Sequence, residues 1–528
     1  MRQFAYGLLG LVLTACGGGG TDGGSTAGST APPVSQGMQL SFAPGSLDAT
    51  IYQGESQSFA ITAQAGGSLP PAGKTINVGV MDSVGVLEPG MQVLPTSTTS
   101  FAATLTIARS LGVGTHQGAI EVRACQDDPR TCSKPIAGSP WQLPYRLTVR
   151  SQTDPRELSP VVDASNYYGS ASHNASASSV LDPSRFSRRW SHPEAAAPSP
   201  TRPPALGNGH VFVSLGLKLA AFSERDGTQT WMSTLDDGTL SGPSLAGNRV
   251  YVVTGSWSPS SRSTLQSFDA ASGAALGQVA LSRYMGEQPN PVIRDGKLYL
   301  CKTGNALTRF DALSLQEEWT VTLAGDEHDP ICSPAVDQRY AYVYRRVGLQ
   351  VIDLASGRIA FTIPVPADSY FPPAMQQAPV LGAGGRVYLA AWAPWYGQSF
   401  LPRLLAFDTL QGKLAWNVQG NFNSNLVEGP DAVYVVNGSK LEARSIETGQ
   451  PLWSWTSTDS ELGGFNSPLL IVGKHALVSS RWMSYAIDLT TRQSVWQDKV
   501  GGPLALSPNG ALYIQRTFAP GYRVINLH

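Results

Sequence analysis

Residues 404–416 read LLAFDTLQGKLAW, and the spacing of three of them decides the fold. Asp408 follows an apolar residue, Gly412 stands four positions later and Trp416 four after that. We call this pattern the landmark. Further copies end at Trp231, Gly277, Trp319, Phe361, Trp453 and Trp496. From Trp231 onward the end positions are spaced by 46, 42, 42, 55, 37 and 43 residues, and a period of this size indicates a repeat architecture.

A second signature lies between successive landmarks. It has a Pro or small residue, alternating apolar residues, a Gly, Asn or Asp turn and an aromatic run, as in NPVIRDGKLYLC at 290–301. Eight such segments occur, and each predicts a hairpin of two strands, A and B. The landmark then supplies strand C, a tight turn and strand D. Each repeat therefore predicts a four-stranded blade.

The two ends of the repeat region complete one another. RFSRRW at 185–190 predicts a strand D with no A, B or C before it, and GYRVINL at 521–527 predicts a strand C with no D after it. Pairing them would complete the eighth blade and remove a free sheet edge. The sequence thus predicts an all-β, eight-bladed β-propeller over residues 185–528.

The landmark residues suit structural work. Asp can accept hydrogen bonds from the backbone of the turn, Gly supplies the positive φ that the turn needs, and Trp offers a large apolar face to the neighbouring blade. Six of the eight aromatic positions hold Trp, out of twelve Trp in the chain. We therefore expect the landmarks to be scaffold.

The landmark resembles the AxDxxTGxxxW repeat of PQQ-like (quinoprotein-type) β-propellers, and the resemblance extends over about residues 163–528. It implies the same ring of blades. It leaves the function open, because one ring architecture serves both redox enzymes and non-catalytic scaffolds.

The N-terminus predicts export and anchoring. Residues 1–16 carry a positive Arg2 and an apolar stretch over 4–13 that is too short to span a bilayer. LTAC at 13–16 resembles a bacterial lipobox, which implies that Cys16 is lipidated; the alternative is an ordinary cleavage site. Residues 17–37 have the composition of a flexible tether. By the same resemblance, Gly17 implies the outer membrane.

Residues 38–150 lack the landmark and alternate with a period of two, as in FAATLTI at 101–107. This pattern predicts an immunoglobulin-like β-sandwich, either a spacer or a second binding module. Residues 151–184 are rich in Ser, Asn and Pro and predict a connector whose latter part packs on the ring.

Net charge limits the kinds of partner, and the cysteine positions indicate where disulfides can form. A net charge of −1 without a basic stripe argues against nucleic acid as a partner. Cys125 and Cys132 flank a short turn and should form a disulfide in an exported protein. Cys301 and Cys332 fall on adjacent blades, where a second disulfide and two buried free thiols are both compatible with the sequence.

The irregular loops point to a binding face. Strand order places all D–A and B–C connections on one side of the ring, and the long loops all occur there, whereas the C–D turns are short. Loops on a rigid scaffold commonly carry function. The aromatic residues of these loops are candidates for recognising a protein, peptide or glycan, or for packing on one another: Trp257, Tyr370, Phe371, Trp392, Trp395, Tyr396, Trp482 and Phe518.

Catalytic signatures are missing from the sequence. It has no CxxCH haem site, G-x-S-x-G, HExxH or phosphate loop, and we expect no catalytic residue and no metal site. GDEHDP at 325–330 is the densest His/carboxylate cluster, and a solvated loop explains it better than a metal site, because partner ligands at metal spacing are not visible.

Two functional classes remain. A lipobox, a tether and an eight-bladed ring are similar to BamB-type outer-membrane assembly lipoproteins, although the sandwich is an addition; this resemblance implies a non-catalytic envelope scaffold with no cofactor. The alternative is a quinoprotein dehydrogenase that uses PQQ and calcium. By resemblance such enzymes carry a vicinal Cys-Cys pair, and no two Cys are adjacent in this chain.

Overall fold

The computed structural model describes residues 10–12, 37–68, 75–152, 154–160, 164–166, 169–191, 203–235, 239–255, 263–281, 289–302, 305–325, 333–345, 347–365, 378–391, 402–422, 425–457, 469–516 and 521–528. These residues form β-strands and short 3-10 turns, and contacts divide them into two units that meet at Asp154–Pro155. No helix within these ranges has the length and apolar character needed to cross a membrane.

Unit 1 is built from two sheets. One has the strand order Gly10–Val12, Thr75–Met81, Gly114–Cys125, Trp141–Arg150 and Leu47–Tyr52, and the other has the order Met38–Ala43, Ser58–Gly67, Ser100–Thr106 and Val93–Pro95. Burial alternates along the strands, so each sheet turns every second side chain inward. Ile61, Leu105 and Leu147 belong to the shared core. Cys125 and Cys132 form a disulfide beside this core, as expected from the sequence.

Unit 2 contains eight sheets among its described residues, which we number as blades in chain order. Blade 1 comprises Ala205–Gly207, His210–Leu215, Lys218–Ser223 and Gln229–Thr234, and blade 2 comprises Thr239–Leu240, Ser244–Ala246, Arg249–Gly255, Thr264–Asp269 and Ala275–Ala280. Blade 3 comprises Val292–Arg294, Lys297–Lys302, Ala306–Asp311 and Glu317–Thr322. Blade 4 comprises Ala335–Val336, Tyr340–Arg345, Gly348–Asp353 and Arg358–Ile363.

Blades 5 to 8 follow the same A–B–C–D order. Blade 5 comprises Val380–Leu381, Arg386–Ala391, Arg403–Asp408 and Lys413–Gln419, and blade 6 comprises Val427–Glu428, Val433–Asn437, Lys440–Arg444 and Pro451–Thr456. Blade 7 comprises Leu470–Val472, His475–Ser479, Ser484–Asp488 and Gln493–Asp498. Blade 8 comprises Leu504–Leu506, Ala511–Gln515, Tyr522–Asn526 and Ser187–Ser191.

Blade 8 is assembled from both ends of unit 2. Ser187–Ser191 pairs antiparallel with Tyr522–Asn526, with Trp190 opposite Val524. This confirms the pairing predicted from RFSRRW and GYRVINL. The strand that immediately precedes blade 1 therefore supplies the outer strand of the last blade, and the ring closes without leaving that sheet edge free.

Burial shows which strand of each blade lies near the axis. The A strands are buried almost throughout, as in Ala205–Gly207, whereas the D strands carry exposed residues at alternating positions, as in Glu317–Thr322. Strand A is therefore the inner strand and strand D the outer one.

The segment before the first blade runs along the inner strands. We call the described residues of 156–179 the inner circuit. One hydrogen bond to each blade, in ring order from blade 8 through blades 1 to 7, is as follows: Leu158 N to Pro508 O 2.7 Å, Leu206 N to Ala164 O 3.0 Å, Leu245 N to Ser165 O 2.8 Å, Ile293 N to Asn166 Oδ1 2.7 Å, Val336 N to Ala171 O 2.8 Å, Leu381 N to Ser172 O 2.9 Å, Glu428 N to Asn174 Oδ1 3.1 Å and Ile471 N to Ala175 O 3.0 Å.

The inner circuit closes on itself. The Ser179 hydroxyl donates to Pro160 O at 2.7 Å, so the end of the segment meets its beginning. Ser176–Ala177 also pairs parallel with Leu470–Val472 of blade 7. The sequence predicts a connector over 151–184; in the structure its residues from Pro155 onward belong to the ring unit.

Candidate functional site

The landmark carboxylates serve their own turns. Asp311 Oδ1 accepts the backbone N–H groups of Leu313 at 3.2 Å and Ser314 at 2.9 Å. Hydrogen bonds from Ser314 and the nearby Lys297 ammonium lower the pKa of Asp311 to about 2. Asp269 makes the same contacts with the turn that follows it, at 3.1 and 2.8 Å. The hydrogen-bonding capacity of these carboxylates is thus used to hold their own turns, as predicted.

Four landmark Trp residues pack on the landmark Gly of the next blade. Trp231 Nε1 donates to Ala270 O at 2.9 Å, and a Cβ on Gly273 would lie 2.5 Å from the Trp231 ring. The same contact recurs in three more pairs, with distances of 2.6 to 2.7 Å: Trp190–Gly227, Trp319–Gly357 and Trp416–Gly449. Gly therefore provides both the positive φ of the turn and the room for an indole ring.

Two of the remaining joints have a different residue at the glycine position. Blade 2 has Gly277 in the aromatic position, and blade 3 has Leu315 at positive φ in place of the landmark Gly, so the leucine fills the space that an indole would take. At the joint of blades 6 and 7, Arg492 replaces Gly and its guanidinium lies 5.7 Å from the Trp453 ring centre. These two joints remain filled although the motif varies.

The joint between blades 8 and 1 is polar. Glu224 is fully buried and accepts hydrogen bonds from the side chains of Ser507 and Asn509, while Arg189 donates to the Glu224 carbonyl at 3.3 Å. Burial raises the pKa of the Glu224 carboxyl. These contacts cross the closure of the ring, so this acid has a structural role.

The candidate site is the side of the ring that faces away from the C–D turns. We call the D–A and B–C connections together the loop face. Trp482 stands in the B–C turn of blade 7, where the Ser480 hydroxyl oxygen accepts the N–H groups of Trp482 at 3.0 Å and Met483 at 2.9 Å. Trp482 is 54% exposed. The turn is therefore fixed while its indole faces solvent.

The D–A connection behind this turn holds it in place. A Cβ on Gly501 would lie 2.3 Å from Ser480 O and 2.5 Å from Trp482 N, so only glycine permits the approach. Gly502 N donates to the Ser479 hydroxyl oxygen at 2.8 Å. Two neighbouring connections are thus locked together beneath Trp482.

Most of the predicted recognition residues fall outside the part of the chain that the structure describes. Trp257, Tyr370, Phe371, Trp392, Trp395, Tyr396 and Phe518 lie outside the described residues. Asp326, His328, Asp329 and Cys332 do so as well. Cys301 is buried and disulfide-bonded, so it is not a free thiol; Cys332 remains its predicted partner.

Buried serines underlie the loop face, and the sequence reasoning missed them. The Ser214 hydroxyl donates to Ser241 O at 2.7 Å, and Asn290 Oδ1 accepts the N–H of Gly242 at 2.8 Å. These bonds cross from blade 1 to blade 2 and from blade 2 to blade 3. The recurrent Ser or Asn just before strand A was the available signal. They fix where the loops begin.

Metal-binding groups are confined to one place among the described residues. Cys125, Asp127 and Cys132 lie within 4.8 Å of one another. Both cysteines are in a disulfide, so they offer no thiolate to a metal. Among the described residues of the ring, no three His, Cys, Asp or Glu side chains lie close enough together to share a metal ion.

Comparison with solved structures finds similar chains at low identity. BamB from Moraxella catarrhalis is 16% identical over 65% of this chain and 97% of its own, with a TM-score of 0.48. The quinohemoprotein alcohol dehydrogenase from Comamonas testosteroni is 14% identical over 78% of this chain and 74% of its own, with a TM-score of 0.42. Likenesses at this level do not discriminate between functions.

Sequence comparison is more specific. No protein with curated function matches the chain. A family described as outer membrane protein assembly factor BamB matches residues 176–276 and 308–522, which is more than half of the chain and contains all the landmarks from Trp319 onward. With its repeated blades and landmark joints, the chain belongs to the PQQ-like propeller family of the outer membrane protein assembly factor BamB.

Proposed function

We propose that this protein is a non-catalytic, membrane-anchored binding protein of the bacterial envelope. It captures a protein, peptide or glycan on the loop face. The observation that carries this proposal is Trp482, a residue that is 54% exposed on a turn held in place by Ser480 and Gly501. Exposed aromatic residues on a preorganised surface are typical anchors of binding sites.

The described landmark residues on the opposite side of the ring support the scaffold. Its landmark Asp residues are hydrogen-bonded to their own turns, and its landmark Gly residues lie against Trp rings of neighbouring blades. The described landmark residues on that side thus have structural roles. This contrast favours the loop face as the working surface.

Membership of the BamB family supports an envelope role, because the family is named for assembly at the outer membrane. Lipidation at Cys16 would attach the protein to that membrane, and residues 17–37 would act as the tether. Replacing Cys16 with Ser should abolish incorporation of labelled palmitate and release the protein from the membrane fraction. Unchanged fractionation without palmitate uptake in the wild type would contradict the anchor.

The quinoprotein alternative fits the residues poorly. The chain has no vicinal Cys pair, Cys125 and Cys132 are bonded to each other, and Cys301 is also disulfide-bonded. Among the described residues of the ring, no three His, Cys, Asp or Glu side chains lie close enough together to share a metal ion. The inner circuit also takes up hydrogen-bonding groups of the inner strands. We therefore propose that the protein works without PQQ.

Site-specific photo-crosslinking tests the binding face. A photoreactive residue at Trp482 should give discrete adducts in intact cells. The matched control is Leu313, an apolar residue that is 68% exposed at a C–D turn on the opposite side. It should give none. Equal labelling from both positions, or none from Trp482, would remove the support for this face.

Mutation of the same face completes the test. Trp482→Ala should weaken capture of the crosslinked partner by about thirtyfold, as expected for the loss of an aromatic anchor, with little change in stability. The pair Trp392→Ala and Trp395→Ala should act similarly. Dye-linked oxidation of an alcohol or aldose after addition of PQQ and calcium would overturn the non-catalytic assignment.

A further inference from the structure

One edge of a sheet in unit 1 is covered by the N-terminal segment of the chain. Gly10–Val12 pairs antiparallel with the first three residues of Thr75–Met81, and Leu11 stands opposite Ile76. The other side of Thr75–Met81 pairs with Gly114–Cys125. Within the part of the chain that the structure describes, no further strand joins this edge. A piece of the predicted export signal therefore completes the sheet.

The strand behind this edge shows which backbone groups point outward. Ala124 stands opposite Val78. Its N–H donates to Ser139 Oγ at 3.0 Å, and its C=O accepts the N–H of Ile136 at 2.9 Å. Both backbone groups of Ala124 are therefore turned away from Val78. In an antiparallel ladder such a pair exchanges no hydrogen bonds, so the N–H and C=O of Val78 point to the edge.

The same alternation gives the edge three equivalent positions. Ile76 and Val80 present their N–H and C=O in the same direction as Val78, because residues two apart in a strand share it. Ile76 and Leu11 thus form a hydrogen-bonded pair. The side chains of Ile76 and Val80 are buried, and Val78 packs against the core beside Ile76. An added strand would meet both main-chain groups and the margin of an apolar core.

The strand itself carries no guard against pairing. TINVGVM at 75–81 contains neither a charged residue nor Pro, the residues with which proteins commonly protect a sheet edge. Under the proposed anchor, Cys16 is the N-terminus of the mature protein, so Gly10–Val12 is removed. Processing would then leave the main-chain groups at this edge available to a new strand.

The segment that lies on the edge indicates what would replace it. It is extended and antiparallel. Strand addition matches a row of N–H and C=O groups along its whole length, which a helix or a glycan does not do. A residue opposite Ile76 lies on the same face of the sheet, beside the core, where an unpaired charge is costly. The fitting occupant is an extended, uncharged segment with apolar residues at alternate positions.

We propose that Thr75–Met81 of the mature protein accepts such a segment of another protein as an added antiparallel strand. The segment places apolar residues opposite Ile76 and Val78 and forms main-chain hydrogen bonds with both. This inference rests on the removal of residues 1–15 that the proposed anchor implies. It concerns unit 1 and is separate from capture on the loop face.

Fluorescence anisotropy tests the edge in a chain of residues 17–528, which lacks only the export signal and the lipidated cysteine. The probe is a labelled peptide of residues 7–15 with lysines added at both ends for solubility. It should bind saturably. An N-methyl group on Leu11 should weaken binding by at least about tenfold, because it removes a hydrogen bond to Ile76. An N-methyl group on Val12 is the matched control and should leave the affinity unchanged, since that N–H points away from the sheet.

Val78→Pro tests the edge from the side of the protein. Proline removes an N–H that faces the edge and no bond to Gly114–Cys125, so we expect the sheet to tolerate it. It should weaken the probe by at least about tenfold. Val78→Ala is the matched control, because it shortens the same side chain and keeps the N–H, and it should bind within about threefold of the wild type. If Val78→Pro does not fold, the two N-methylated peptides decide.

Several results would overturn the proposal. They are absence of saturable binding, equal weakening by both N-methyl groups, and full binding in folded Val78→Pro. A dimer of residues 17–528 that Val78→Pro dissociates in sedimentation would also overturn it, because a second copy would then cover the edge. Mass spectrometry of protein from membranes checks the premise separately. Retention of residues 1–15 would contradict the anchor and this inference together, whereas failed probe binding would contradict this inference alone.

Discussion

Gly273 and Trp231 meet across the boundary between blades 1 and 2, and their contact explains why the landmark needs both residues. The glycine has φ +72°, and its missing side chain makes room for the indole. Gly412 has nearly the same backbone, with φ +64°, but a Cβ there would have no neighbour within 4 Å. The two positions therefore separate backbone strain from packing.

Replacing each glycine with alanine measures the two effects. Gly412→Ala should lower the free energy of unfolding by about 1–2 kcal/mol, from the positive φ alone. Gly273→Ala should lower it by about 1–3 kcal/mol more, because the methyl group collides with Trp231. Denaturant unfolding of both variants gives the difference. Equal losses would show that the indole contact does not constrain the turn.

His173 makes the stability of the ring depend on pH. Its side chain is buried, its Nδ1 lies 3.1 Å from Pro379 O, and burial lowers its pKa from 6.5 to about 4. The unfolded chain then binds the proton more readily than the folded chain does. The contribution of His173 is therefore complete above pH 6.5 and is lost as the pH falls towards 4.

Between pH 8 and pH 5 this effect should lower the free energy of unfolding by about 2 kcal/mol. His173→Asn is the matched variant, because Asn tolerates the positive φ of 57° and does not titrate. We expect the loss of unfolding free energy between pH 8 and pH 5 to be smaller in the variant than in the wild type, and the difference to equal this contribution of His173. Denaturant unfolding at both pH values measures it. Identical pH dependence in the two proteins would count against a neutral buried histidine.

At the scale of elements, the inner circuit shows where the sequence was informative and where it was not. The strands of blades follow apolar alternation, and their turns carry Asp and Gly, so they could be predicted. Residues 156–179 contact each blade through only one or two residues. Such a segment has no period of its own, and its Ser, Asn and Ala resemble an ordinary linker.

The candidate site was predictable only in part, for a related reason. Strand order alone places the irregular loops on one side, and Trp482 is exposed there. The serines that hold the loops act through single hydrogen bonds to backbone carbonyls, as Ser214 does to Ser241. Isolated Ser residues are frequent in any sequence, so their role emerges only when the blades are assembled.

Asn166 provides a test of the inner circuit. It is buried, accepts the N–H of Ile293 at 2.7 Å and donates to the Ile293 carbonyl at 3.1 Å. Asn166→Ala should lower the free energy of unfolding by about 2–4 kcal/mol, because both backbone groups lose their partner. Asn248→Ala, which removes an exposed bond to Asp269, should cost less than about 0.5 kcal/mol. Similar losses from thermal or denaturant unfolding would argue against a structural role for the circuit.

At the scale of the whole molecule, the boundary between the units determines which fragments can fold. The sequence places the propeller at 185–528, whereas the structure begins the ring unit at Pro155. A chain of residues 155–528 retains the circuit and the closing strand. A chain of residues 185–528 keeps every blade but loses the hydrogen bonds that link their inner strands.

We expect the 155–528 fragment to be soluble and to unfold cooperatively. The 185–528 fragment should aggregate or melt well below it, because buried backbone groups of several inner strands lose their partners. Size-exclusion chromatography and thermal unfolding compare the two. A 185–528 fragment as stable as the longer one would show that the circuit is dispensable.

The inner circuit also has a mechanical consequence. In a protein held by its N-terminal end, tension enters the ring at Pro155 and reaches the axis before the rim. It loads blade 8 first, through Arg156 and Leu158, and passes to blades 1, 2 and 3 in turn as each hydrogen bond breaks. Force applied to the N-terminal segment would thus detach the inner circuit from one blade after another. Single-molecule force traces should therefore show a series of small extension steps.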